Sequence, residues 1–383
     1  MTCGIASLRT PAWPRVHGGH PRDAQRAGTG QPLLDFSVDV HPLGLPLRLR
    51  DIVARHLDDL GGYPDPDARA LCEAIAAHHQ IPADAVLPGN GSAELIGLVT
   101  RLRPSPNVVV IVPTFTEYEW AARHAGGSLT LHALDERAGF QWDARATAAW
   151  PSIIAGSDLA FLCNPNNPTG VAIPKATVLS LARRCEQAGT LLVVDEAFVE
   201  FVEPPREISV LPEALALSHL IVLKSLTKWW AMPGLRLGYL VAAPPLVRAL
   251  RAQQQPWPVN ALALAVGVEL FSHPDDRQPH RQQLREWREA LWQALAAMPD
   301  LTPFPTTTNF ILCQLDTTHV TSTELAQRLA ERGLLIRNCD GFSGLAPGRF
   351  IRVAVRTPPD NERLLAALHE TWRSCDGAQR MTS

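Results

Sequence analysis

The stretch "HLIVLKSLTKWWAMPGLRLGY", residues 219–239, places a lysine where few are found. An apolar run closes on Ser225 and Thr227, and Lys228 follows directly, among Trp229, Trp230, Met232 and Leu235. Lysine is ordinarily a solvated surface residue. Apolar surroundings favour the neutral amine of a lysine, the form that attacks carbonyl carbon. The run before it is too short for a typical helix and ends in polar residues, which fits a strand buried on both faces.

Three more such runs lie upstream: "NVVVIVP" (107–113), "LAFLCNP" (159–165) and "TLLVVDEAF" (190–198). Helical patterns alternate with them at Glu117–His124, Lys175–Glu186 and, more weakly, Val210–Leu217. That alternation predicts βαβ units and an α/β, mostly parallel, doubly wound sheet, whose ligands bind at the carboxyl ends of the strands. Residues 1–49, rich in Pro, Gly and Arg, read as an arm that packs with a small domain. A helix should follow with Ile52, Val53, His56 and Leu57 on one face, and another from about Asp67. Residues 50–257 make the large domain. Beyond it, a long helical stretch from Asn260 to Met298 leads into "TNFILCQL", a helix at Thr323–Arg332, "LLIRNC", "FIRVAVR" and a last helix at Asn361–Trp372. This order predicts a smaller α+β domain over 258–383.

The 383 residues suffice for two domains. A net charge of −3 leaves no basic footprint for nucleic acid or an anionic membrane. No apolar run approaches the length of a membrane helix, and the first twenty residues lack the apolar core of a signal peptide. Seven cysteines without a CxxC pair read as a reduced, cytosolic chain with no zinc site. His17 and His20 read as a solvated pair in the arm, not as metal ligands.

The strand ends carry the chemistry. "FLCNPNNPTG" brings Asn164 and Asn167, "VVDEAF" brings Asp195 and Glu196, and "LKSLTK" brings Ser225, Thr227 and Lys228. "PGNGSAE" (88–94) is a glycine turn opening a helix, where backbone N–H groups face an anion. It lacks the third glycine of a dinucleotide fingerprint. A lysine nucleophile, a carboxylate, an asparagine and an anion cradle at one sheet edge are what pyridoxal phosphate requires.

"NNPTG", "DEAF" and "SLTKWWAMPGLRLGY" resemble the fold-type I pyridoxal-phosphate enzymes of the class I/II aminotransferase superfamily, over nearly the whole chain. "HGGHPRDA", "LLDFSVDVHPLG", "YPDPD", "LPGNGSAELI", "QQQPWPVNALA" and "NERLLAAL" resemble, within it, the threonine-phosphate decarboxylases of cobalamin biosynthesis. The resemblance implies that Lys228 forms a Schiff base with the cofactor. Asp195 would pair with the ring nitrogen, Asn167 would bond the ring oxygen, and Phe115 would stack on the ring. The backbone of Gly91 and Ser92, the hydroxyls of Ser225 and Thr227, and Arg236 would bind the cofactor phosphate. Tyr63 would reach that phosphate from a second subunit, so a homodimer with shared sites is implied. Arg352 would bind the substrate carboxylate. Arg337 and His17 would face the substrate phosphate.

The chain departs from that pattern at two positions, with Asp39 and His41 where the family has asparagines. An ionised Asp39 beside a phosphate would repel it unless a water, an arginine or a proton intervened. The resemblance also leaves open an aminotransferase of the histidinol-phosphate type. A cofactor-binding regulator is disfavoured, because the arm shows no helix-turn-helix pattern.

Overall fold

The computed structural model describes Gly18 and residues 33–316 and 319–380. His17 therefore lies outside the described residues.

Thirteen strands occur among them. In chain order they are β1 (Leu34–Asp35), β2 (Val86–Asn90), β3 (Asn107–Val112), β4 (Ser128–Ala133), β5 (Leu159–Cys163), β6 (Leu191–Asp195), β7 (Leu220–Ser225), β8 (Leu237–Ala242), β9 (Leu301–Pro303), β10 (Phe310–Leu315), β11 (Leu334–Leu335), β12 (Arg337–Asn338) and β13 (Phe350–Ala354). Seven form the large sheet in the order β2-β8-β7-β6-β5-β3-β4. Only β8 runs antiparallel to its neighbours. The four apolar runs read from the sequence are β3, β5, β6 and β7, and β5 and β7 are buried at every position. Both faces of such a sheet must be covered, and two apolar clusters do so. One holds Val109, Ala160, Leu192 and Val222, and the other Val110, Phe161, Val193 and Ile221.

A second, four-stranded antiparallel sheet has the order β12-β13-β10-β9. It packs with Leu291, Leu325, Leu329 and Leu364 into its own core. β1 pairs in parallel with β11, and Phe36 lies in this second core. The Ala354 N–H of β13 donates to the Phe36 carbonyl at 2.9 Å, so this segment contacts the small sheet. The helix Ala261–Ser272 lies past residue 257 yet places Ala263, Val266 and Leu270 in the core beside the large sheet.

Three sequence expectations change. The stretch Asn260–Met298 is two helices, Ala261–Ser272 and His280–Ala296, because Pro274 and Pro279 interrupt it. Val210–Leu217 holds only a short 3₁₀ turn, Leu211–Glu213, with Pro212 inside. The last helix begins three residues earlier than expected and runs Pro358–Arg380. No described helix is long and apolar enough to cross a membrane.

The two sheets meet at Gly170, in the loop after β5. The Thr307 N–H and hydroxyl both donate to the Gly170 carbonyl at 2.9 Å. Gly170 has φ +71°, and a Cβ there would collide with the Thr306 side chain.

Candidate active site

Two adjoining cavities lie at the carboxyl ends of the parallel strands. The inner one, about 140 Å³, is lined by Ser92, Phe115, Asp195, Ser225, Thr227 and Arg236, among others. The outer one, about 420 Å³, is lined by Asp39, Glu117, Arg337 and Arg352 among others. Phe115, Asn167, Lys228 and Arg236 line both.

Lys228 stands in the turn between β7 and β8, so two central strands fix its position. Beside it the buried Ser225 and Thr227 hydroxyls are 2.8 Å apart. Arg236 closes the turn at φ +58° and donates to the Pro233 carbonyl. Gly91 (φ +74°) leaves room for this arginine, since a Cβ would strike its guanidinium. A Cβ on Gly238 would lie 2.7 Å from the Ser92 nitrogen. These absent side chains leave a cradle bounded by two hydroxyls, a guanidinium and the first turn of the helix Ser92–Thr100, whose N–H groups have no intrahelical partner. One expectation is refined here. The Gly91 N–H is already bonded to the Gly89 carbonyl, so Gly91 contributes space, and the available backbone donors begin at Ser92.

Asp195 ends β6 and is 2% exposed. It accepts the Tyr118 hydroxyl at 2.7 Å and the Ala197 N–H at 3.0 Å. Burial pushes its carboxyl above the ordinary range, and those two bonds offset this only in part. A cation brought to Asp195 would relieve that cost. The inner cavity thus offers a cation-seeking carboxylate, a lysine and an anion cradle, and these residues fit pyridoxal phosphate. Tyr118 was missed in the sequence. It lies three residues after Phe115, in the first turn of the helix Glu117–His124, and packs edge-on against it at 5.7 Å.

Asp39 is not isolated against a phosphate. It is 3% exposed and bridges two cations. Its Oδ1 lies 2.6 Å from Lys228 Nζ and its Oδ2 lies 2.9 Å from Arg352 Nη1. Burial raises its carboxyl, but Arg352 and Lys228 together outweigh burial and hold it at about 2. Asp39 is therefore ionised, and the surroundings of Lys228 are not purely apolar. Arg352 also donates to Asn167 Oδ1 and to the Ser37 carbonyl.

Arg337 pairs in register with Arg352 across β12 and β13. It is 5% exposed, and its guanidinium lies over Phe342 at 5.2 Å. Among the described residues no salt bridge reaches it. Burial, then the charge of Arg352, lowers its pKa to about 10. His41 is buried away from both cavities. Its backbone N–H donates to the Lys228 carbonyl at 2.9 Å, and its ring packs edge-on to Trp229. Burial, followed by Arg277 and His280, lowers its pKa to about 2, so the ring is a neutral prop beneath the lysine turn. Tyr63 lines neither cavity. It is 86% exposed and stacks near Trp257, ring centroids 4.9 Å apart.

The fold and this site belong to one family: residues 46–368 match the aminotransferase class I and II model, and the chain is a member of that family. It is 38% identical to threonine-phosphate decarboxylase of Salmonella typhimurium, over 92% of this chain and 95% of that protein. Histidinol-phosphate aminotransferase of Symbiobacterium thermophilum is 32% identical over 95% of this chain and 98% of its own. The crystal structure of L-threonine-O-3-phosphate decarboxylase from Porphyromonas gingivalis superposes with a TM-score of 0.79 at 25% identity, covering 88% of this chain and 99% of that one.

Proposed function

We propose that the chain is a pyridoxal-phosphate-dependent carboxy-lyase that removes CO₂ from L-threonine O-3-phosphate, a step of cobalamin biosynthesis. The product is (R)-1-amino-2-propanol O-2-phosphate. The observation that carries this reading is Arg337, a buried guanidinium with no salt-bridge partner among the described residues, set beside Arg352 in the outer cavity. A planar fork of fixed charge suits a phosphate, and a second arginine beside it suits a carboxylate.

Lys228 would hold the cofactor covalently, with Asp195 at its ring nitrogen, Asn167 at its ring oxygen and Phe115 against its face. Ser225, Thr227, Arg236 and the helix turn at Ser92 would hold its phosphate. When bound, the cofactor supplies a sink for the electron pair left on Cα when CO₂ departs. The protein's part is to choose the bond. Arg337 fixes the substrate phosphate and Arg352 fixes the carboxylate, which together decide which Cα bond is presented for cleavage. Lys228 lines both cavities, and its amine would return a proton to Cα.

The assembly we propose is a homodimer. Leu57, Leu60, Tyr63 and Trp257 are large apolar side chains left exposed, and a second copy would cover them. Tyr63 would then contribute its hydroxyl to the neighbouring cofactor phosphate.

The test is incubation of the cofactor-loaded protein with threonine phosphate, scoring CO₂ release against keto-acid-dependent transamination. Stoichiometric CO₂ supports the reading. Transamination of histidinol phosphate without CO₂ release from threonine phosphate would replace it.

A further inference from the structure

We propose that Asp39 sets how the substrate carboxylate is held and favours its departure as CO₂. The inference rests on the decarboxylase reading above and on one geometric fact: Arg352 is already engaged from within the protein. Its Nη1 reaches Asp39 Oδ2 at 2.9 Å and also Asn167 Oδ1. Its Nη2 reaches the Ser37 carbonyl at 3.1 Å. Its Nε–H is buried without a partner. A guanidinium carries five N–H donors, so three are taken and the buried Nε–H and one Nη2–H remain for an incoming carboxylate. A two-bonded clamp across the Nη1–Nη2 end, where Asp39 and Asn167 already hold Nη1, can form only if one of those partners gives way. Meanwhile the incoming carboxylate meets a second, ionised carboxylate across the same arginine. At 3% exposure that repulsion is poorly screened by solvent.

The reaction removes the conflict. The bond from Cα to the carboxylate breaks, its electron pair stays with Cα, CO₂ leaves uncharged, and a proton then completes Cα. The negative charge facing Asp39 disappears in this step, while the phosphate on Arg337 keeps its own. Asp39 therefore raises the energy of bound substrate more than that of the state in which the charge is leaving. Only such a differential effect accelerates chemistry. An asparagine at position 39 would keep the shape and a hydrogen-bond acceptor and lose the charge. Asp39 acts here through Arg352, as a positioning and specificity-determining residue.

The first measurement uses cofactor-free wild type and calorimetry with two ligands, L-threonine O-3-phosphate and its carboxylate-free counterpart 1-amino-2-propanol O-2-phosphate. The two should bind within about tenfold of each other, because the carboxylate gains little. A preference above about a hundredfold for the carboxylate ligand overturns the proposal without any variant. Asp39→Asn should tighten threonine phosphate by about tenfold or more and leave the counterpart within about twofold. In the cofactor-loaded enzyme the same variant should lower KM and kcat together for CO₂ release. An equal change in both affinities, or a rise in kcat, refutes it. Failure of wild type to release any CO₂ overturns the decarboxylase reading instead. The two-ligand comparison reads Asp39 independently of turnover.

Discussion

Replacing Arg337 by methionine should separate binding from stability. Arg337 is buried with a like charge in register beside it, and burial, then Arg352, lowers its pKa to about 10. For a base, a folded value below the unfolded one means that folding disfavours the charge at every pH below the unfolded value, neutrality included. A shift of that size corresponds to about 3 kcal/mol of destabilisation. Methionine keeps the apolar contact with Phe342 and removes the charge, so the fold should lose nothing and gain up to that amount. Substrate binding should suffer. Two charge-assisted bonds of about 1.5–3 kcal/mol each place the loss near 3 kcal/mol or above, which is about a hundredfold or more in KM. The assays are thermal unfolding of the cofactor-free protein and steady-state CO₂ release from threonine phosphate. Cofactor affinity, set by the inner cavity, should stay constant. A Tm several degrees below wild type, or a KM change under about tenfold, would refute the reasoning.

Tyr118→Phe strips Asp195 of its hydroxyl donor and should weaken cofactor retention by about 1–2 kcal/mol, read as a faster loss of cofactor absorbance on dilution. Lys224→Met should destabilise the protein by about 3–5 kcal/mol in urea titrations, because Lys224 pairs with Glu200 at 2.9 Å and Glu196 at 3.7 Å inside the sheet core. Asp39 adds an acid limb to stability. Its folded pKa of about 2 lies below the ordinary 3.8, so its contribution is present above that range and lost as pH falls through it. About 1 kcal/mol should be gone by pH 3 in wild type and not in Asp39→Asn, measured by urea unfolding of the cofactor-free protein.

The parallel core was legible because β3, β5, β6 and β7 are buried on both faces and therefore read as unbroken apolar runs. The other three strands of the large sheet were not. β4 is an edge strand with no fully buried position, so it has no apolar run to show. β2 carries Pro88 and Gly89 and reads as a turn. β8 begins directly after the Lys228 turn and is masked by that motif. At the site, Lys228, Asp195 and Asn167 could be named from strand-end motifs, Phe115 and Arg236 only from the family resemblance, and the structure brings all five to one pair of cavities. The environment of Asp39 could not be named. Lys228 lies 189 residues away in sequence, and Arg352 comes from the small sheet. An odd residue in a motif shows that something differs, whereas its counter-ions emerge only from tertiary contact.

The junction at Gly170 gives the molecule a mechanical property. Thr307, six residues after β9 begins, grips the loop that carries Asn167 three residues upstream, and Arg352 of the small sheet grips Asn167 itself. Any swing of the small sheet drags on that loop at two points. The asparagine that would face the cofactor ring thus takes its position from the second sheet. Opening the outer cavity would withdraw Asn167 and Arg352 as one unit, so letting product out and loosening the ring-side grip would be a single event. The bare glycine at 170 is what lets this clutch close, since any larger residue would hold its plates apart.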